Sequence, residues 1–203
     1  MSDPGRHAAL FDGLPRDTGA LAETVQGLLI HQHIAPAYGV TLSRDQQAQS
    51  HVRAVEKILG DIVTRDGRPL SAARATNERQ VGVCRHFTLL HVAMLRTQGI
   101  PARARCGFGA YFEKGKYLDH WVTEYWNEEK KCWVLFDSQI DNHQRELFRI
   151  GFDTAESRGI SSWSRTMPGR SVVMEGLIPV PSASSTCTDF GSLRAISSAT
   201  SLL

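Results

Sequence analysis

Three residues of this chain can do chemistry together: Cys84, His120 and Asp137. A thiol attacks carbonyl carbon as its thiolate, which calls for a base to take the proton and a carboxylate to fix that base. Here nucleophile, base and orienter occur in that order, and the chemistry they would support is acyl transfer through a thioester. Each residue alone has a plainer reading. A single cysteine is often a small buried hydrophobe, and a His–Asp pair is often a surface contact.

The elements that would carry them narrow the choice. Val83, Phe87, Leu90 and Met94 share one helical face, and Gly99 with Pro101 supplies a stop, so a helix is expected to begin near Cys84. At a helix N-terminus the partial positive charge of the backbone favours a thiolate. Downstream, residues 102–108, 117–126 and 131–136 read as strands, with residues 127–130 as the turn between the last two. A turn centred between Glu128 and Glu129 sets His120 directly opposite Asp137, with Cβ atoms roughly 4.5–5.5 Å apart on one face. A bulge would turn one of the two away.

Upstream of the cysteine, Leu21, Val25, Leu28 and Leu29 predict a helix over residues 18–34. A second is expected from Ser43, with Gln46 as capping-box partner, to Gly60. Residues 61–80, with Asp66-Gly67 and Pro69, read as a loop with one further helical turn. Helices followed by an antiparallel sheet make an α+β fold, with N-terminal helices packed on the sheet.

Composition bounds the partners. The 203 residues are 41% hydrophobic and 22% charged, and 23 basic against 21 acidic side chains leave a net charge of +2, which gives no electrostatic footprint for nucleic acid. Residues 1–10 lack the pattern of a signal peptide and no stretch reaches membrane-spanning length, so a cytoplasmic protein without a membrane partner is expected. In a reducing compartment Cys84, Cys106, Cys132 and Cys187 are expected as free thiols. Cys84 and His86 alone do not make a zinc site, and nothing marks a cofactor pocket. Arg103 and Arg105 alternate on a strand and could line a cleft or be paired structurally. Trp121, Tyr125, Trp126 and Trp133 could wall an acyl substrate or belong to the core.

The stretch Gly82-Val83-Cys84-Arg85-His86-Phe87, then Leu95-Arg96-Thr97-Gln98-Gly99-Ile100-Pro101-Ala102-Arg103, Asp119-His120-Trp121-Val122, Glu124-Tyr125-Trp126 and Trp133-Val134-Leu135-Phe136-Asp137, resembles the bacterial transglutaminase-like superfamily. The resemblance covers about residues 80–141, and Ala35-Pro36-Ala37-Tyr38-Gly39-Val40 upstream also looks familiar. It implies a papain-like cysteine proteinase fold with Cys84 as nucleophile, His120 as base and then acid, and Asp137 as orienter. His86 departs from relatives that carry aspartate two residues after the cysteine.

Residues 1–156 are therefore expected to form a transglutaminase-like domain, with core motifs in 80–141, and residues 157–203 a separate tail. Twelve of those last 47 residues are serine and no periodicity survives there. Restoring one C within a GAG codon for Glu156 lets residues 156–163 read DVPRDFFV, and the shifted frame continues in a way that resembles relatives. The single codons of Trp163, Met167 and Met174 constrain that match. A one-nucleotide deletion would then have replaced the native C-terminal segment, the alternative being an ordinary extension.

The expected function is cysteine-dependent acyl transfer on a peptide, protein or small amide substrate, by hydrolysis or transamidation, without a cofactor. The alternatives are a non-catalytic interaction module, an inactive truncated homologue of the same fold, and an acyltransferase built on a related Cys-His-Asp core.

Overall fold

The computed structural model describes residues 1–151, so the expected boundary at 156 and the serine-rich segment 157–203 lie outside the described residues. Helix α1, Thr18–Leu28, starts at Asp17, whose carboxylate accepts from the Ala20 N–H at 2.8 Å. It buries Leu21, Ala22, Val25 and Leu28. The helix ends six residues short of the expected Ile34. Leu29–His31 instead form β1, pairing in parallel with β2, Gln80–Gly82. Leu29 packs in the main core and Ile30 in a second cluster with Ala35, Val40 and Val81. That is burial at period two, which a strand satisfies and a helical face does not.

The expected second helix is also broken. The Ser43–Gln46 capping box holds, with Oγ accepting from the Gln46 N–H and the Gln46 side chain accepting from the Ser43 N–H. Helix α2, however, spans only Arg44–Ala48. After a 3-10 turn at Gln49–His51 the chain is extended before α3, Val55–Arg65. The break leaves the Val52 carbonyl to accept from His86 and the Gln49 side chain to accept from the Val81 N–H. The Val52 carbonyl, which a continuous helix would have spent internally, is thus taken by the His86 side chain. The loop that follows contains one 3-10 turn, Thr76–Glu78.

Helix α4, Cys84–Thr97, begins where the sequence places it. It ends in a Schellman arrangement: Gly99 is left-handed at φ +81°, its N–H reaches Arg96 O, and Ile100 N–H reaches Leu95 O. Strands β3 (Ala102–Gly109), β4 (Leu118–Asn127) and β5 (Cys132–Phe136) form an antiparallel sheet in that order. Ala102, Tyr125, Val134 and Phe136 join Phe87, Leu90 and Met94 of α4 in the main core. At its centre His91, fully buried, accepts from the Thr123 hydroxyl and donates to Thr18 O. The architecture is α+β, as expected. The short helix α5, Asn142–Leu147, was not anticipated and is capped by Asp141, which accepts from the Gln144 N–H.

Cys84 and Cys106 are free thiols and Cys132 is not. The expectation of free thiols throughout is corrected to that extent. No helix among the described residues is long and apolar enough to cross a membrane.

Candidate active site

Cys84 occupies the first position of α4, so its own N–H has no intrahelical acceptor. The approach is rigid. Val83 donates its N–H to His86 Nδ1 at 3.0 Å, and His86 Nε2 donates to Val52 O at 2.6 Å. Those two bonds fix the His86 tautomer, and burial lowers its pKa, so the ring is neutral. Gly82 is required beneath it, because a Cβ there would lie 2.8 Å from His86 Cβ. The neutral His86 ring thus ties the first turn of α4 to the segment between α2 and α3.

His120, 2% exposed, lies on β4, and Asp137, 1% exposed, immediately follows β5. The register pairs Thr123 with Phe136 and Asn127 with Cys132, which places Asp137 beside Val122 and not opposite His120. Strand β4 runs one residue further than expected, and the turn is closed by Lys131 at φ +51°, with Asn127 Oδ1 accepting from the Lys130 N–H. The shift from the expected pairing is two residues, so both side chains keep the same face. They meet on the diagonal, His120 Nε2 donating to Asp137 Oδ2 at 2.8 Å.

Cys84 lies within electrostatic reach of His120 and raises its pKa. With Nε2 committed to Asp137, Nδ1 is the nitrogen left to face the thiol. Burial lowers the pKa of His120, but the Asp137 carboxylate and Cys84 outweigh it and carry the ring up to about 10. Burial likewise raises the Asp137 carboxyl, and the imidazolium together with hydrogen bonds from His120, Tyr111 and the Gln139 N–H brings it below its ordinary value. The arrangement holds a charged imidazolium–carboxylate pair beside Cys84, so the ring carries the proton that a departing amine needs.

The family model of the transglutaminase-like superfamily matches residues 34–138, just over half of the chain and inclusive of Cys84, His120 and Asp137. The chain belongs to the transglutaminase-like superfamily. No curated protein and no solved structure matches it. Within this superfamily domain, the other residues singled out by sequence fall elsewhere. Arg103 and Arg105 both pair with the fully buried Glu124, the latter at 3.3 Å, and Arg103 also covers Trp133 at 4.3 Å. Tyr125 is core, and Trp126 meets Trp133 edge-on at 5.9 Å near the hairpin turn. Six residues of strand, roughly 20 Å, separate Trp126 from His120. Trp121, partly buried, is beside His120 in β4 but alternates to the other face.

Three residues near the site had no sequence signal strong enough to single them out. Tyr111 and Phe112, in the connection between β3 and β4, contact the His120 ring. His31, at the end of β1 beside Gly82, accepts from the His33 N–H on Nδ1, which leaves its proton on Nε2. Burial, with the neighbouring His33, His120 and His86, lowers its pKa to about 3 and keeps it neutral. Aromatic residues two and three positions after the glycine that ends β3 were the available hint for Tyr111 and Phe112. A narrow crevice lined by Gln26, His31, Arg79 and Gln139 touches none of the three central residues.

Proposed function

We propose that this chain carries out cysteine-dependent acyl transfer on amide or peptide bonds. Cys84 sulfur attacks the carbonyl carbon as the thiolate, its proton already held on His120 Nδ1. The tetrahedral intermediate collapses as the C–N bond breaks, and the same proton passes from His120 to the departing amine. The enzyme is left as a thioester. Water, deprotonated by His120, then releases a carboxylic acid and restores the thiol, or an amine releases a new amide. Asp137 keeps the imidazole oriented and balances its charge in both halves. No cofactor enters any step. The substrate is a peptide, a protein or a small amide.

The observation that carries this reading is the buried His120 bonded to Asp137, with Cys84 close enough to interact with the same ring. Incubation with a set of glutamine-containing peptides and small amides, followed by acid quench and intact-mass measurement, is expected to reveal an acyl adduct on Cys84. Added hydroxylamine should convert that adduct to a hydroxamate, and Cys84→Ala should show neither product. A folded wild-type protein that forms no adduct with any member of a broad set, and releases no ammonia or amine, would favour a non-catalytic module instead.

A further inference from the structure

We propose that Tyr111 is a positioning residue of this site, its hydroxyl and His120 Nε2 sharing one oxygen of Asp137 so that the carboxylate is locked in the orientation the imidazole needs. The inference rests on the acyl-transfer reading. Tyr111 OH donates to Asp137 Oδ2 at 2.5 Å, and His120 Nε2 donates to the same atom at 2.8 Å. The other oxygen, Oδ1, accepts from the Gln139 N–H at 3.1 Å. A carboxylate oxygen has two lone-pair directions, and Oδ2 spends one on each partner. With 1% exposure, Asp137 has no water to replace a missing donor, and a buried carboxylate short of donors takes up a proton.

The surrounding rings hold the hydroxyl in place. Tyr111 stands perpendicular to His120 with centroids 5.9 Å apart, and Phe112 meets the same imidazole edge-on at 4.8 Å. Phe112 in turn packs on Phe148 beyond α5, at 5.2 Å. Gly109 makes this fold-back possible, since a Cβ there would lie 2.8 Å from Phe112 Cε2. Burial, the Asp137 charge and the hydrogen bond all raise the Tyr111 phenol, so it remains a donor at any working pH. The two rings cover the imidazole edge, and the hydroxyl completes the Asp137 shell.

Tyr111→Phe keeps the ring and removes only the donor. The pH dependence of Cys84 alkylation by iodoacetamide, located by peptide mapping, is the readout. In the variant the acid limb is expected to move upward by about one pH unit, because a hydrogen bond to a charged group is worth about tenfold or more. Profiles of wild type and Tyr111→Phe that superimpose would overturn the proposal. A second measurement needs no variant. In the wild-type protein, a slowly exchanging Tyr111 hydroxyl proton should show a proton–proton cross-peak to the His120 Nε2 proton, and absence of that cross-peak with the His120 proton visible would also overturn it. If wild-type Cys84 reacts as an ordinary thiol at every pH, the acyl-transfer reading falls and takes the role of Tyr111 with it. An activated wild-type thiol with an unshifted variant sinks the Tyr111 proposal alone.

Discussion

His120 reaches Asp137 across the diagonal of the β4–β5 hairpin, with Nε2 and Oδ2 2.8 Å apart and both side chains almost wholly buried. A diagonal pair is fixed by two strands and by the residues that follow β5. The Gln139 N–H, bonded to Oδ1, therefore matters as much as the sheet register. Asp137→Asn retains the shape but not the charge that raises His120. Turnover is expected to fall by about a hundredfold or more, the range by which a positioned acid–base group contributes. Steady-state rates on any substrate that acylates Cys84 check this, with a loss under tenfold counting against the pair.

The same pair leaves a signature in stability. The His120 pKa, at about 10, lies above its unfolded value of 6.5, so its contribution is full below pH 6.5 and is lost as pH rises towards 10. Asp137 is held below its unfolded 3.8, so its contribution is present above that value and is lost as pH falls through the folded one. The pair thus contributes fully between about pH 4 and 6.5. Thermal melting of wild type should decline between pH 7 and 10 more steeply than melting of His120→Gln. Parallel curves would show that His120 is not charged in the folded state.

His91 acts in the opposite direction. Burial lowers its pKa to about 4, so between that value and 6.5 the unfolded chain binds the extra proton and stability falls as pH falls. Burial does the same to His31, down to about 3. His91→Gln should lower stability at pH 7, through loss of the bonds to Thr123 and Thr18, yet flatten the decline from pH 6.5 to 4. Urea unfolding at several pH values reads both effects, and an unchanged slope would contradict the neutral, buried assignment.

The junction before the nucleophile should be intolerant of bulk. Gly82→Ala puts a methyl 2.8 Å from His86 Cβ, and overpacking of this kind costs about 1–3 kcal/mol. His86→Ala leaves the Val83 N–H and Val52 O without their partner and opens a cavity, at a cost of about 3 kcal/mol. Denaturant titration should register both, and both should also slow alkylation of Cys84 by loosening the first turn of α4. Full stability in Gly82→Ala would mean that β2 and α4 are not packed as described.

Much of this was legible in the sequence for identifiable reasons. The start of α4 at Cys84, its stop at Gly99 and the three strands follow from local periodicity and turn chemistry, which act over a few residues. The ends of α1 and α2 were not legible. Ile30 is drawn into a strand by pairing with Val81, and Val52 is held out of a helix by His86, both through contacts with residues distant in sequence. The His120–Asp137 contact was legible, but the hairpin register was displaced by a turn closing at Lys131, a residue with no glycine-like signal for positive φ. Tyr111 was hidden because only the folded connection between β3 and β4 brings its hydroxyl to Asp137.

The serine-rich segment after Glu156 lies outside the described residues and rests on sequence alone. We propose that it is read in a shifted frame. The coding DNA is expected to show GAG at codon 156 and wobble bases that give DVPRDFFV when one C is restored. Wobble bases incompatible with that reading would leave an ordinary extension in its place.

Activation of Cys84 by His120 is read from the rate of Cys84 alkylation by iodoacetamide at pH 6, compared between wild type and His120→Ala. Rapid labelling of wild-type Cys84 is expected at that pH, with a fall of about a hundredfold in the variant and Cys106 labelling unchanged. Labelling of Cys84 that is slow at pH 6, rises only through the ordinary thiol range near about 8.5 and is indifferent to His120 would contradict it.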